Sequence, residues 1–151
     1  MRKRKKVTAI FLIMVFIVTG CSAMTNIKAT TPGVSLKVKD RAYATLPVND
    51  TFSTTSFGNY EFVVEKDGQE PLYGLLPQKF NVGYLLADLL TIPTMFLLFH
   101  NLFEVYAYYD IHPDKKIIRY SEDNITWSDK NMLPAESELA KKYYEQSKVK
   151  K

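Results

Sequence analysis

The sequence predicts an α+β fold: a small antiparallel β-sandwich-like module, then an apolar helical hairpin, a β-hairpin and a C-terminal helix. Three observations carry this. Val34, Leu36 and Val38 alternate with Ser35, Lys37 and Lys39, the period of a strand with one buried face. Residues 82–103 form an apolar run of 22 residues that holds one carboxylate, Asp88, and is interrupted by Pro93. Beyond Leu133, Pro134 is followed by Glu136 and Glu138 and then by lysines, the charge order that suits a helix dipole.

The chain opens with Arg2, Lys3, Arg4, Lys5 and Lys6. It then runs apolar from Val7 to Val18 apart from Thr8, and reaches Thr19, Gly20 and Cys21 at once. A cationic start, a short apolar core and a small-residue exit mark a secretory signal over residues 1–20. About a dozen apolar residues are too few to cross a ~30 Å hydrocarbon core comfortably. The string Val18-Thr19-Gly20-Cys21 resembles the lipobox of bacterial lipoproteins. That resemblance implies cleavage between Gly20 and Cys21, lipid on the Cys21 thiol, and membrane attachment through that lipid. One acyl chain holds a protein only marginally, and two or more hold it durably; the family's modification supplies more than one. Ser22, rather than an aspartate, at the second mature position implies the outer membrane, facing the periplasm, under the lipoprotein sorting rule. The outer leaflet of a plasma membrane is the alternative.

Cys21 is the only cysteine, so the rest of the chain offers no thiol for a disulfide or a thiolate metal site. Five of the 20 Lys and Arg, and none of the 16 Asp and Glu, fall in residues 1–20, which leaves the mature chain 15 against 16, formally −1. The whole-chain charge of +4 therefore belongs to the signal and predicts no nucleic-acid partner.

Residues 21–32 are expected to be the lipidated cysteine and a small, polar tether, at most about 35 Å long when extended and about 17–20 Å as a coil. A single domain over 33–133 follows. Within it Asp40 and Arg41 read as a turn, and 42–48 as an extended stretch that Pro47 confines to an edge or bulge. Residues 60–65 read as a strand closed by Lys66-Asp67-Gly68, and 72–76 as a further short strand weakened by Gly74. Pro32-Gly33-Val34, Thr45-Leu46-Pro47 and Gly58-Asn59-Tyr60-Glu61-Phe62-Val63 resemble the turn-and-strand pieces of PEGA-like β-modules of bacterial surface lipoproteins, over about residues 31–76. Ala44 stands where that pattern has glycine, and Leu46 separates its Thr from its Pro. The resemblance implies a scaffold rather than a chemistry.

Three readings of 82–103 compete. A spanning helix needs about 20 apolar residues, but Asp88 would cost roughly 2.5–3.5 kcal/mol near mid-bilayer, and Pro93 would break the helix near its centre. Two short helices over 82–90 and 94–103, bent at Pro93, would cover one face of the sheet and complete the core. The same hairpin would otherwise lay an apolar face on the bilayer or on a membrane partner, with Leu85, Leu89, Phe96 and Leu97 as the contact residues. The D-x-L-x-x-P string at Asp88, Leu90 and Pro93 resembles a segment that follows the β-module in several small uncharacterised lipoproteins. It implies architecture only.

Residues 105–111 and 116–120 read as a β-hairpin about His112-Pro113-Asp114-Lys115, with Trp127 beyond it capping the core edge. Residues 134–151 read as a C-terminal helix with a frayed tail. Most of its surface is solvated, and Leu139, Tyr143 and Tyr144 give it one face able to dock.

No catalytic residue, metal set or cofactor is predicted. His100 and His112 are the only histidines, and neither has a second ligand at metal-binding spacing. His100 reads as a core or interfacial residue and His112 as a solvated turn residue. Glu61, Glu65, Asp67 and Glu70 read as solvated charges around a turn, and the threonines of 51–56 as strand formers. The function expected is that of a lipid-anchored cell-envelope lipoprotein, not an enzyme. It would act structurally or by interaction, through an envelope protein partner or the membrane surface. A binding module for lipid or peptidoglycan is the alternative.

Overall fold

The computed structural model describes residues 22–53, 58–82 and 103–149. The α+β expectation holds at the level of class. β1 (Ser22–Ala29), β4 (Val48–Ser53), β9 (Tyr108–His112), β10 (Ile117–Ser121) and β11 (Ser128–Asn131) form one sheet. Its order is β11-β10-β9-β1-β4. β2 (Val34–Val38), β3 (Arg41–Tyr43), β5 (Glu61–Lys66) and β6 (Leu72–Leu75) form a second, in the order β3-β2-β5-β6. β7 (Gln78–Phe80) and β8 (Phe103–Val105) make a short ribbon, and α1 (Pro134–Val149) closes the chain.

The two larger sheets lie face to face. Ile27, Phe52, Tyr109, Ile111 and Ile118 of the first meet Val34, Leu36, Val38, Phe62 and Val64 of the second in one buried cluster. The alternation at 34–38 is the reason β2 lies here: its three apolar residues are buried and its two polar ones are not. α1 covers the outer face of the second sheet, burying Ala140 and Tyr144 against β5 and β6. Its solvated-surface expectation is thus corrected in part: Tyr144 docks, while Leu139 stays 55% exposed.

Residues 22–29 are not a tether. They form β1 in the interior of the first sheet, antiparallel to β4 from Ser22↔Ser53 to Ile27↔Val48, and parallel to β9 from Asn26↔Tyr108 to Ala29↔Ile111. Thr25 is 1% exposed, and its hydroxyl donates to the Ala107 carbonyl at 3.3 Å. The chain then turns into the second sheet at Gly33, whose φ of 72° suits a residue without Cβ. Because β1 pairs with both β4 and β9, the expected module and the expected hairpin are not successive units but share one sheet.

Other differences are local. The stretch 42–48 divides into β3 and β4, with Pro47 in the connection. The strand expected over 105–111 divides at Tyr106 and Ala107 into β8 and β9, and β9 returns through a single 3₁₀ turn, Pro113–Lys115, to β10. Trp127 does not cap the core edge. It lies partly exposed over the outer face of the first sheet, with the Lys28 amine 4.9 Å and the Arg119 guanidinium 5.4 Å from its ring centroid. The helical hairpin expected over 82–103, apart from its first and last residues, lies outside the described residues.

The glycine that weakened the reading of β6 is required there. Gly74 pairs with Phe62, and a Cβ added to it would sit 2.6 Å from that ring's Cζ and 2.8 Å from its Cε1. Phe62 is 0% exposed, so the ring has little room to yield. Gly74→Ala is expected to destabilise by about 1–3 kcal/mol through overpacking, read as a lower urea midpoint; an unchanged midpoint would show that the ring moves aside.

At the corner between the sheets, the edge strands β3 and β4 are clamped by charge. Arg41 Nη1 lies 2.7 Å from Asp50 Oδ1, the Tyr43 hydroxyl donates to the other oxygen, and the Thr51 N–H donates to Oδ1 at 2.6 Å. Partial burial works against the Asp50 carboxylate, but Tyr43, Arg41 and the Thr51 N–H outweigh it and hold its pKa below the ordinary value. Burial, then Asp50, push the Tyr43 phenol up to about 12 from 10.0. A depressed carboxyl contributes stability that is lost as pH falls through its folded value, and a raised phenol contributes stability that is lost as pH rises from its unfolded to its folded value. Stability should therefore fall between pH 10 and about 12. Tyr43→Phe should make that alkaline fall shallower and Asp50→Asn the acid fall, both followed by urea midpoints against pH.

Candidate functional site

Gly20 and Cys21 lie outside the described residues, as do Leu85, Leu89, Phe96, Leu97, Asp88 and His100. The structure does place the points where those segments join the body. β1 starts at Ser22, beside Ser53 at the end of β4. It runs parallel to β9 with Asn26 level with Tyr108, so its start lies toward the chain preceding β9, and β1 touches β8. β8 pairs with β7 as Gln78↔Val105, Lys79↔Glu104 and Phe80↔Phe103. The ribbon thus carries the chain outward at Phe80 and Val82 and receives it back at Phe103, at the same end of the sandwich as Ser22. The 122–127 loop joins this end too, because β10 finishes at Ser121 opposite Tyr108.

This end is apolar at its surface. Phe80 is 47% exposed, Val82 57% and Phe103 51%, and the two phenyl rings meet edge-on at 5.5 Å. Met24 and Ile125 are exposed at the same end. The other large exposed apolar side chains among the described residues, Leu133, Leu139 and Val149, lie on α1 or just before it.

Polar contacts fix this apolar surface in place. Lys79 Nζ lies 3.0 Å from Glu122 Oε1 and 3.4 Å from Glu104 Oε2, tying the ribbon to the end of β10. Partial burial disfavours the charged amine, but Glu122 and Glu104 outweigh it and hold its pKa above the ordinary value. In the neighbouring loop, Asp123 Oδ1 accepts the N–H groups of Thr126 at 2.7 Å and Ile125 at 2.8 Å and the Ser121 hydroxyl at 3.0 Å. Those donors, Thr126 first, lower the Asp123 carboxyl to about 2. They also set the turn that turns Ile125 outward.

The opposite end is built of polar turns. There Thr31 Oγ1 donates to Asp114 Oδ2 at 2.9 Å, joining the β1–β2 turn to the 3₁₀ turn. The outer face of the first sheet carries Lys28, Asp110, Arg119 and Asp129 as consecutive cross-strand neighbours of alternating charge. Lys28 Nζ lies 3.6 Å from Asp110 Oδ2, and Arg119 Nε 3.0 Å from Asp129 Oδ1. His112 is not a solvated turn residue. It ends β9, largely buried, with Nε2 3.6 Å from Asp110 Oδ2. Nor are the four acidic residues one solvated cluster: Glu61 begins β5, whereas Glu65 near its end pairs with Lys37 at 3.1 Å.

Among the described residues no group of three or more His, Cys, Asp or Glu side chains is placed to hold a metal ion, and no helix is long and apolar enough to cross a membrane. The chain matches no protein-family model, no curated protein and no solved structure. The sequence reading missed Phe80 and Ile125. The available signals were a lone aromatic after the Pro77 breaker, and a lone branched apolar residue in the turn-forming string Ser121-Glu122-Asp123-Asn124-Ile125.

Proposed function

We propose that the chain is a lipid-anchored lipoprotein of the cell envelope, held by lipid on Cys21 and serving a structural or interaction role at the membrane surface. The observation that carries this reading is Val18-Thr19-Gly20-Cys21 placed directly after a cationic and apolar signal. β1 supports it and sharpens it. β1 already includes Ser22, the residue after Cys21, so a lipid there would hold the sandwich against the headgroups with no stalk between. The location proposed is the outer membrane, with an envelope protein as partner.

On the same reading, 82–103 is a helical hairpin whose apolar face, with Leu85, Leu89, Phe96 and Leu97, rests on the bilayer rather than in the core. Among the described residues the sheet faces are accounted for. The inner faces fill one another, α1 takes the outer face at β5 and β6, and the outer face of the first sheet is a charged ladder.

Metabolic labelling with a tagged fatty acid tests the anchor. Label should enter the wild-type chain and be absent from Cys21→Ala, whose precursor should accumulate. Equal labelling of both would overturn the proposal.

A further inference from the structure

We infer that the end of the sandwich bearing Ser22, Phe80, Val82 and Phe103 faces the bilayer and seats these three apolar side chains at the edge of its hydrocarbon, giving the body two attachments at one end and a fixed orientation. The inference rests on the lipid-anchor reading and adds to it which surface meets the membrane.

The register of β1 carries the argument. A lipid on Cys21 leaves the body one residue before Ser22, and the parallel pairing with β9 puts Ser22 at the end from which β7 and β8 project. An anchor at the start of β1 with the ribbon at the far end would have lifted Phe80 and Phe103 well clear of the membrane, since each strand residue advances about 3.3 Å. Here both lie at the anchored end. The apolar face of an interfacial helix buries about 5–10 Å into the headgroup and acyl boundary, a depth within reach of aromatic side chains held at the membrane surface. The opposite end, with its polar turns at Thr31, Asp67 and Pro113–Lys115, would then point away from the membrane.

The test uses the full lipidated chain, with its lipid confirmed by intact mass, reconstituted into phosphatidylcholine vesicles that contain a lipid bearing a photoactivatable group on its acyl chain. After illumination, adducts are mapped by peptide mass spectrometry. Adducts on peptides holding Phe80 to Val82 and Phe103 should exceed those on the peptide holding Pro113–Lys115 about tenfold, as insertion to acyl depth at one end requires. Phe80→Ser with Phe103→Ser should keep the unfolding midpoint, because both rings are about half exposed, and should lose most of the adducts at these positions. Even labelling of both ends, or labelling of the 113–115 end alone, would overturn the inference while leaving the anchor intact. A chain without lipid on Cys21 would overturn the anchor, whatever the labelling pattern.

Discussion

Truncating Tyr109 to alanine is expected to destabilise the chain by about 3–5 kcal/mol, the range for removing a large buried aromatic. Tyr109 is 0% exposed and lies on the inner face of β9, in the cluster formed by both sheets. Its hydroxyl donates to the Pro77 carbonyl at 2.5 Å and accepts the Tyr106 N–H at 2.9 Å. One side chain therefore ties the chain entering β7 to the chain leaving β8, at the base of the ribbon. Burial raises the phenol's pKa, so ionisation does not disturb these bonds near neutral pH. Tyr109→Phe keeps the ring but strands a carbonyl and an N–H, a loss of about 1–3 kcal/mol. Urea midpoints should fall in the order wild type, Phe, Ala. With total stability of only about 5–15 kcal/mol typical of a domain, the alanine variant should also be the first to yield to protease. A phenylalanine variant as stable as wild type would show that the hydroxyl does not pin the ribbon.

The parts of this fold that were legible in the sequence are those where branched and aromatic residues alternate with polar ones or cluster between turn residues. Val34, Leu36 and Val38 announce β2, Phe62 and Val64 announce β5, and Tyr109, Ile111 and Ile118 announce the hairpin of β9 and β10. β1 was not legible. Ala23, Thr25 and Ala29 share its inward face with Ile27, and small or hydroxyl-bearing residues do not stand out from the polar ones between them. Their burial is set by a parallel partner 82 residues away, a non-local cause with no local signature. The ribbon escaped for a related reason: β7 and β8 are three residues each, and each finds its partner far away in sequence. Of the candidate site, the proposed anchor at Cys21 rests on linear sequence alone, the string Val18-Thr19-Gly20-Cys21 after a cationic and apolar run. The apolar end of the body was not legible, because Phe80 and Phe103, far apart in sequence, meet only through the register of β7 and β8.

Tyr144→Ala should undock the C-terminal helix, at a cost of about 3 kcal/mol for the lost ring and its hydroxyl bonds. Tyr144 is 8% exposed, and its hydroxyl lies 3.1 Å from the Lys37 carbonyl and 3.0 Å from the Glu61 carbonyl, reaching β2 and β5 together. Burial, then Tyr143, raise its pKa, so it remains a donor throughout the neutral range. Nearer its start α1 has separate fastenings: Ser137 Oγ donates to the Tyr73 carbonyl at 2.9 Å, and Lys130 bridges to Glu136 at 2.8 Å. The loss should therefore be graded along the helix. Hydrogen exchange should speed up most around residues 140–149 and least around Ser137, while β9 and β10 keep their protection. Uniform loss of protection across both sheets would mean that α1 is part of the sandwich's cooperative core rather than a layer laid upon it. The sequence reading chose the right element but only part of the right face. Tyr144 docks, yet Ala140, one turn earlier and fully buried, fills the contact that Leu139 was expected to make. Close approach of a helix to a sheet favours the smaller side chain, so the most apolar residue in the turn is left outside.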